Sequence, residues 1–156
     1  LLIQQPDQWD MLKSNPDKYL PVLVEEILRL EGPVQGLFRE TAKDIELHGV
    51  AIPKGSVINV RYAAANLDDT MFETPEKLNL ERENSRQHLA FGFGTHYCMG
   101  APLARREILL SFKVLLERID EMWFLDGLND FRHHPNFCLR ALRELHIGFT
   151  RCKPSV

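Results

Sequence analysis

The chain has 156 residues and sets 19 Lys and Arg against 22 Asp and Glu, a formal net charge of −3, which argues against a nucleic-acid binder acting through bulk positive charge. Hydrophobic residues make up 44% and charged residues 26%, the mix of a globular chain with a core and not of a disordered tail. The three cysteines, Cys98, Cys138 and Cys152, are odd in number and widely spaced, so they do not read as a disulfide framework and point to a reducing, cytoplasmic setting. No apolar run reaches the roughly 18 residues that cross a bilayer. The opening at Leu1 reads as the middle of an element, so one domain, or a piece of one, is expected.

Pro6 suits the first turn of a helix over 7–13, and Pro16 is expected to break it. A second helix is expected over 21–30, with Val22, Leu23, Ile27 and Leu30 apolar and Gly32-Pro33 as its stop. Between 37 and 62 the texture changes to short alternating and β-branched stretches, split at His48-Gly49 and Ile52-Pro53-Lys54-Gly55. This predicts two or three short strands, the last over 56–62. A single helical turn follows near 63–67. The stretch 68–87 is then irregular, and a loop of that length is usually functional or held by something specific.

The longest helix is predicted over 102–119, where Ala104, Ile108, Phe112, Leu115 and Ile119 recur at three- and four-residue spacing and define one buried face. Past Asp126-Gly127 the tail over 131–149 alternates enough to predict strands, with Leu142, Leu145, Ile147 and Phe149 turned inward. The class is mainly α with small β-sheets set to one side, an α+β chain.

One segment concentrates chemistry. Phe91-Gly92-Phe93-Gly94-Thr95-His96-Tyr97-Cys98-Met99-Gly100 places a cysteine at the end of a glycine-rich loop and just before the longest helix. Near a helix N-terminus the dipole and unpaired N–H groups favour thiolate over thiol. Gly92, Gly94 and Gly100 permit left-handed or tightly curled backbone, which aims amides at the sulfur and lets a flat ligand approach. Cys138 and Cys152 lack such surroundings and read as small buried hydrophobes.

Phe91, Gly92, Gly94, His96, Cys98 and Gly100 together resemble the haem-binding loop of the cytochrome P450 family. Glu26-Ile27-Leu28-Arg29 is similar to that family's Glu-x-x-Arg pair, two residues on one helical face. Alone, it would read as a solvated surface ion pair. The wording His88-Leu89-Ala90-Phe91-Gly92 and Ala101-Pro102-Leu103-Ala104-Arg105-Arg106 resembles the bacterial soluble branch.

The resemblance implies a cytochrome P450 fold of which residues 1–156 are the C-terminal, haem-ligating part. It implies haem b (iron protoporphyrin IX) with Cys98 as axial thiolate, and Arg39 and His96 as partners of the propionates. Arg82 would join Glu26 and Arg29 in a buried charge network serving folding and haem retention. Val34, Gln35, Gly36 and Leu37 would face the substrate, as would Cys138 and Leu139 from a hairpin tip that begins at Phe137.

The activity implied is insertion of one oxygen atom of O2 into a small organic substrate. Electrons would come from a ferredoxin-like donor with its NAD(P)H reductase, since no dinucleotide fingerprint stands here. Arg105 and Arg106, with Arg86, could form a basic dock for that donor or simply a solvated helix face. The alternatives are peroxide-driven chemistry on the same fold, a haem-binding product without catalysis and, more weakly, a zinc site drawn from His88, His96, Cys98, His133 and His134. Three departures from the family pattern are visible. Leu67 stands in Ala65-Asn66-Leu67-Asp68 where an Arg is frequent, Ala141 stands where Gly is common, and the run from Arg82 to Phe91 is about one residue long.

Overall fold

The computed structural model describes residues 1–153. After a short 3-10 turn at Leu2–Gln4 come helices α1 (Pro6–Ser14) and α2 (Pro16–Glu31). Pro16 therefore opens the second helix instead of merely ending the first. It occupies a first-turn position whose missing N–H costs nothing there, and the Asn15 side chain caps it by accepting from Lys18 N at 3.2 Å. Pro21, the expected start, lies inside α2. Both Pro21 and Asp17 are exposed, so the carbonyl freed by the proline meets water.

Four short strands follow: β1 (Leu37–Glu40), β2 (Ile45–Leu47), β3 (Val50–Ile52) and β4 (Val57–Val60). They form two separate antiparallel ribbons, β1 with β4 and β2 with β3, the latter turning at His48-Gly49, where both residues have positive φ. A single-turn helix α3 (Tyr62–Ala65) leads into the irregular stretch, which holds only a 3-10 turn at Ser85–Gln87. Helix α4 (Ala101–Arg118) begins after the cysteine loop, and β5 (Ile119–Phe124) pairs antiparallel with β6 (Ile147–Arg151).

The tail departs from expectation. The long helix gives way at Ile119 to a strand, and of the stretch 131–149 only its end is strand; the remainder is irregular with isolated bridges Val34↔Leu139 and His133↔Leu142. Leu142, Leu145 and Phe149 are exposed, not inward. Leu142, Leu145 and Ile147 instead line an open, largely apolar groove of about 610 Å³ together with Ile27, Phe112 and Phe124.

The core lies between α1, α2, the irregular stretch and the start of β5: Leu2, Trp9, Leu12, Tyr19, Leu20, Leu23, Leu78, Leu80 and Ile119. Trp9 is buried with its indole N–H satisfied, donating to the Asp120 carbonyl at 2.8 Å. On α4 the anticipated stripe is only half-buried at Ala104, Ile108, Phe112 and Leu115, with Ala101 and Ile119 fully buried at its ends.

Gly36 shows how closely the segment after α2 is fitted. A Cβ there would lie 2.6 Å from the Val60 carbonyl oxygen and 3.2 Å from Arg61 Cα, both main-chain atoms. Backbone cannot swing aside as a side chain can, so Gly36→Ala is expected to destabilise by about 1–3 kcal/mol. A denaturant midpoint shift checks it; an unchanged midpoint would show that β4 yields freely.

Candidate functional site

Two buried charge networks flank the cysteine loop and the irregular stretch before it, and both start on α2. Residues adjacent in a helix point about 100° apart, so Glu25 and Glu26 face different neighbours.

Glu26 is fully buried and faces the irregular stretch. Its carboxylate accepts Arg29 Nε at 2.7 Å and Nη2 at 2.9 Å, accepts the Asn79 N–H at 3.1 Å and lies 3.0 Å from Arg82 Nε. The two guanidiniums then spend their remaining donors on carbonyls. Arg29 reaches Asn66, Pro75 and Lys77, and Arg82 reaches Glu73 and Lys77. Phe72 closes the cluster, with Arg29 Cζ 5.0 Å and Arg82 Cζ 5.9 Å from its ring centroid. A segment without ladder hydrogen bonds is thus tied down carbonyl by carbonyl, which answers how so long an irregular stretch is held.

Asn66, at the position just before Leu67, is a hub of this arrangement. It is buried; Nδ2 donates to the Arg29 carbonyl at 3.3 Å and Oδ1 accepts the Leu89 N–H at 2.6 Å. Leu67, which replaces the frequent arginine, is exposed.

Glu25 faces the other way, toward α4 and the cysteine loop. It is buried, accepts Arg105 Nε at 2.8 Å and Nη2 at 3.0 Å, and lies 3.0 Å from His88 Nε2. His88 Nδ1 accepts the Ala90 N–H at 3.1 Å, which assigns the proton to Nε2 and makes His88 a donor to Glu25. Burial raises the Glu25 pKa, but the hydrogen bonds from His88 and Arg105 outweigh it and hold the carboxyl at about 2 against an ordinary 4.5. The same hydrogen bond to Glu25 raises Arg105 above the usual guanidinium range.

The loop itself turns at Gly92 (φ 73°) and Gly94 (φ 75°), left-handed conformations that glycine takes without strain. Gly100, by contrast, has φ −80°; a Cβ there would lie 3.7 Å from Cys98 Sγ. Cys98 is exposed and its N–H donates to the Phe91 carbonyl at 3.0 Å, so the loop closes on itself. Among the described residues no hydrogen bond reaches the Cys98 sulfur, whereas the sequence suggested amides aimed at it. His96 is exposed in a 3-10 turn, Gly94–His96. Arg39 is exposed on β1, its Nη1 donating to its neighbour's carbonyl, and neither Arg39 nor His96 has an acidic partner among the described residues. Phe93 and Met99, which flank this loop's turn and cysteine, are 86% and 98% exposed.

The two segments expected to face a substrate meet. Val34 bridges Leu139, Gln35 N–H donates to the Cys138 carbonyl at 2.7 Å, and Arg140 N–H donates to the Pro33 carbonyl at 2.8 Å. Gly36 is buried and Leu37 and Leu139 are exposed. Phe137, next to this junction, is also exposed.

The zinc alternative does not survive: among the described residues no three His, Cys, Asp or Glu gather into a metal-holding group. His88 is committed to Glu25, and His133 Nε2 accepts from Arg140 at 2.9 Å. Nor is Arg105 a free surface cation, since Glu25 occupies it; Arg106 is exposed, and Arg86 is exposed with its Nε 3.7 Å from the same Glu25. Sequence reasoning missed Glu25 as a site residue. No local signal marked it, because its partners His88 and Arg105 lie 63 and 80 positions along the chain.

The family model for cytochrome P450 matches residues 2–121. The chain belongs to the cytochrome P450 family. A P450 of Priestia megaterium, CYP107DY1, is 40% identical over 148 residues, covering 95% of this chain and 35% of that protein. A steroid C26-monooxygenase of Mycobacterium tuberculosis is 35% identical over 153 residues, covering 98% of this chain and 41% of that protein. Among solved structures, substrate-free CYP150A6 of Mycobacterium marinum superposes with a TM-score of 0.90 at 35% identity, over 97% of this chain and 39% of that one. The fold is therefore that of the P450s, helices with small antiparallel sheets, and the chain spans about two fifths or less of the length of these relatives.

Two expectations follow from the networks. Replacing Glu26 by Ala strands two buried guanidiniums and should cost about 3–5 kcal/mol, read as a drop in unfolding free energy; a loss under 1 kcal/mol would mean the irregular stretch is held otherwise. Glu25, whose folded-state pKa is depressed, contributes stability that is complete above about 4.5 and is lost as pH falls through about 2. Acid titration of Glu25→Gln should therefore show a shallower decline in stability between pH 4.5 and 2 than the parent, and parallel curves would refute the assignment.

Proposed function

We propose that this P450 chain binds haem b through the Cys98 thiolate and belongs to a monooxygenase that inserts one oxygen atom of O2 into a small organic substrate. The observation that carries the reading is the loop: an exposed, unpaired cysteine closed by its own N–H onto Phe91, three residues ahead of a long helix and flanked by the bare apolar side chains Phe93 and Met99. The donor set suits the group. A thiolate sulfur suits iron, Gly92 and Gly94 leave the loop without side chains at its turns, and Arg39 and His96 carry N–H donors that, among the described residues, meet no acidic partner and are available for two propionates.

Haem held by the Cys98 thiolate would supply the electron donation that favours O–O cleavage. The chain's own residues supply position and environment. Phe91, Gly92, Gly94 and Gly100 shape the loop that presents Cys98, and the Glu26–Arg29–Arg82 network anchors the irregular stretch leading to it. Val34, Gln35, Gly36 and Leu37, paired with Cys138 and Leu139, are placed to face the substrate; pairing of one segment to the other supports a shared wall. Exposed Arg86 and Arg106 are the cations left to meet an acidic ferredoxin-like donor, itself served by an NAD(P)H reductase. The setting proposed is cytoplasmic, and residues 1–156 are proposed as the C-terminal part of a single P450 domain. No helix of the described residues is long and apolar enough to cross a membrane.

The decisive measurement is absorption of the reduced, carbon monoxide-bound haem protein. A far red-shifted Soret band is expected, abolished in Cys98→Ser and retained in Cys138→Ser and Cys152→Ser. A band indifferent to Cys98, or a purified protein that takes up no haem, overturns the proposal.

A further inference from the structure

Three groups around Glu25, His88, Arg105 and Tyr97, are not explained by haem ligation or by the Glu26 network, and they close on Phe91 of the cysteine loop. Arg105 divides its donors between two partners, giving Nε and Nη2 to Glu25 and Nη1 to the Tyr97 hydroxyl at 2.9 Å. Its Cζ lies 4.8 Å from the Phe91 ring centroid. Phe91 and Tyr97 meet edge to face at 6.3 Å, and the Phe91 carbonyl takes the Cys98 N–H. On the incoming side His88 passes the grip of Glu25 to the Ala90 N–H. Two hydrogen-bond chains thus leave one buried carboxylate and end at residues 90 and 97, which bracket the turn of the loop and stand beside Phe91 and Cys98.

We infer that Glu25 is the positioning residue of the cysteine loop: it holds both limbs in register through His88 and Arg105, and it cancels the cationic charge lying against Phe91 and Tyr97. The inference rests on the proposed role of Cys98 for its electrostatic part and on geometry alone for its mechanical part.

The electrostatic part follows from the pairing. Arg105 is permanently cationic, and with Glu25 beside it the pair sums to nearly zero behind the loop; Arg86 Nε, 3.7 Å from Glu25, is exposed and screened by solvent. Neutralising Glu25 leaves net positive charge behind the sulfur, which favours the site with one more electron. Neutralising Arg105 leaves net negative charge, which disfavours it. A part that only braced the loop would move the potential in one direction for both changes, or not at all.

The test is the one-electron reduction potential of the haem-loaded protein in Glu25→Gln, Arg105→Gln and the double variant. The first should shift the redox equilibrium toward the reduced form threefold or more, about 30 mV upward, the second by a similar amount downward. The double variant should return toward the parent. Shifts of one sign, or none, overturn the electrostatic part. In the haem-free protein, amide hydrogen exchange over residues 88–98 should quicken in both single variants; unchanged exchange overturns the mechanical part. Failure of the Cys98 reading is visible separately, as a carbon monoxide spectrum that survives Cys98→Ser, and leaves the exchange measurement to decide the clamp.

Discussion

The burial of two adjacent carboxylates on one helix is the constraint on which the remaining structure depends. A carboxylate cannot be taken from water without compensation, so each of Glu25 and Glu26 must gather donors from elsewhere in the chain. Because successive helical residues point in different directions, the two gather different parts. Glu26 recruits Arg29 and Arg82, and through them the carbonyls of residues 66 to 77. Glu25 recruits Arg105 and His88, and through them the two limbs of the cysteine loop. Helix α2 thereby locates both the irregular stretch and the loop that follows it, although neither contains enough regular hydrogen bonding to locate itself.

That division explains how much was legible beforehand. The loop could be read because its chemistry is local: glycines, a histidine and a cysteine at fixed offsets, with Gly92 and Gly94 indeed left-handed. Glu26 and Arg29 could be read because they share one helical face. Glu25 could not, since its partners are about 60 and 80 positions away and nothing local distinguishes a buried glutamate from a solvated one. The start of α2 was misjudged for a related reason. Proline breaks a helix only in the interior, and whether Pro16 or Pro21 stood at the first turn depended on the cap at Asn15 and on the exposure of Asp17.

The C-terminal tail was least legible. Alternation over 131–149 predicted strands with an inward apolar face, yet only Ile147–Arg151 is strand and Leu142, Leu145 and Phe149 are exposed. Alternation specifies a face without specifying what covers it. Here Leu142, Leu145 and Ile147 border an open groove with Ile27 and Phe112, so the pattern was a true sign of an apolar surface and a false sign of closure within this chain. The half-buried stripe of α4 belongs to the same circumstance: Phe112 and Leu115 line that groove too.

Placing the anchors on α2 also separates two demands that the proposed haem-binding role would put on the loop. A loop that presents a soft anion must be rigid enough to keep one geometry and bare enough to leave the sulfur open. Hydrogen bonds to a ligating atom tune it as well as orient it; restraint supplied from behind the loop orients it without adding a donor at the sulfur. The Phe91 carbonyl accepts the Cys98 N–H, the Tyr97 hydroxyl accepts from Arg105, and Glu25 accepts from Arg105, so each restraint lies one step farther from Cys98, which is itself exposed. The buried acid does its work at a distance, through an arginine whose charge it also neutralises, and for that reason the geometry of the loop and the field behind it are set by the same residue.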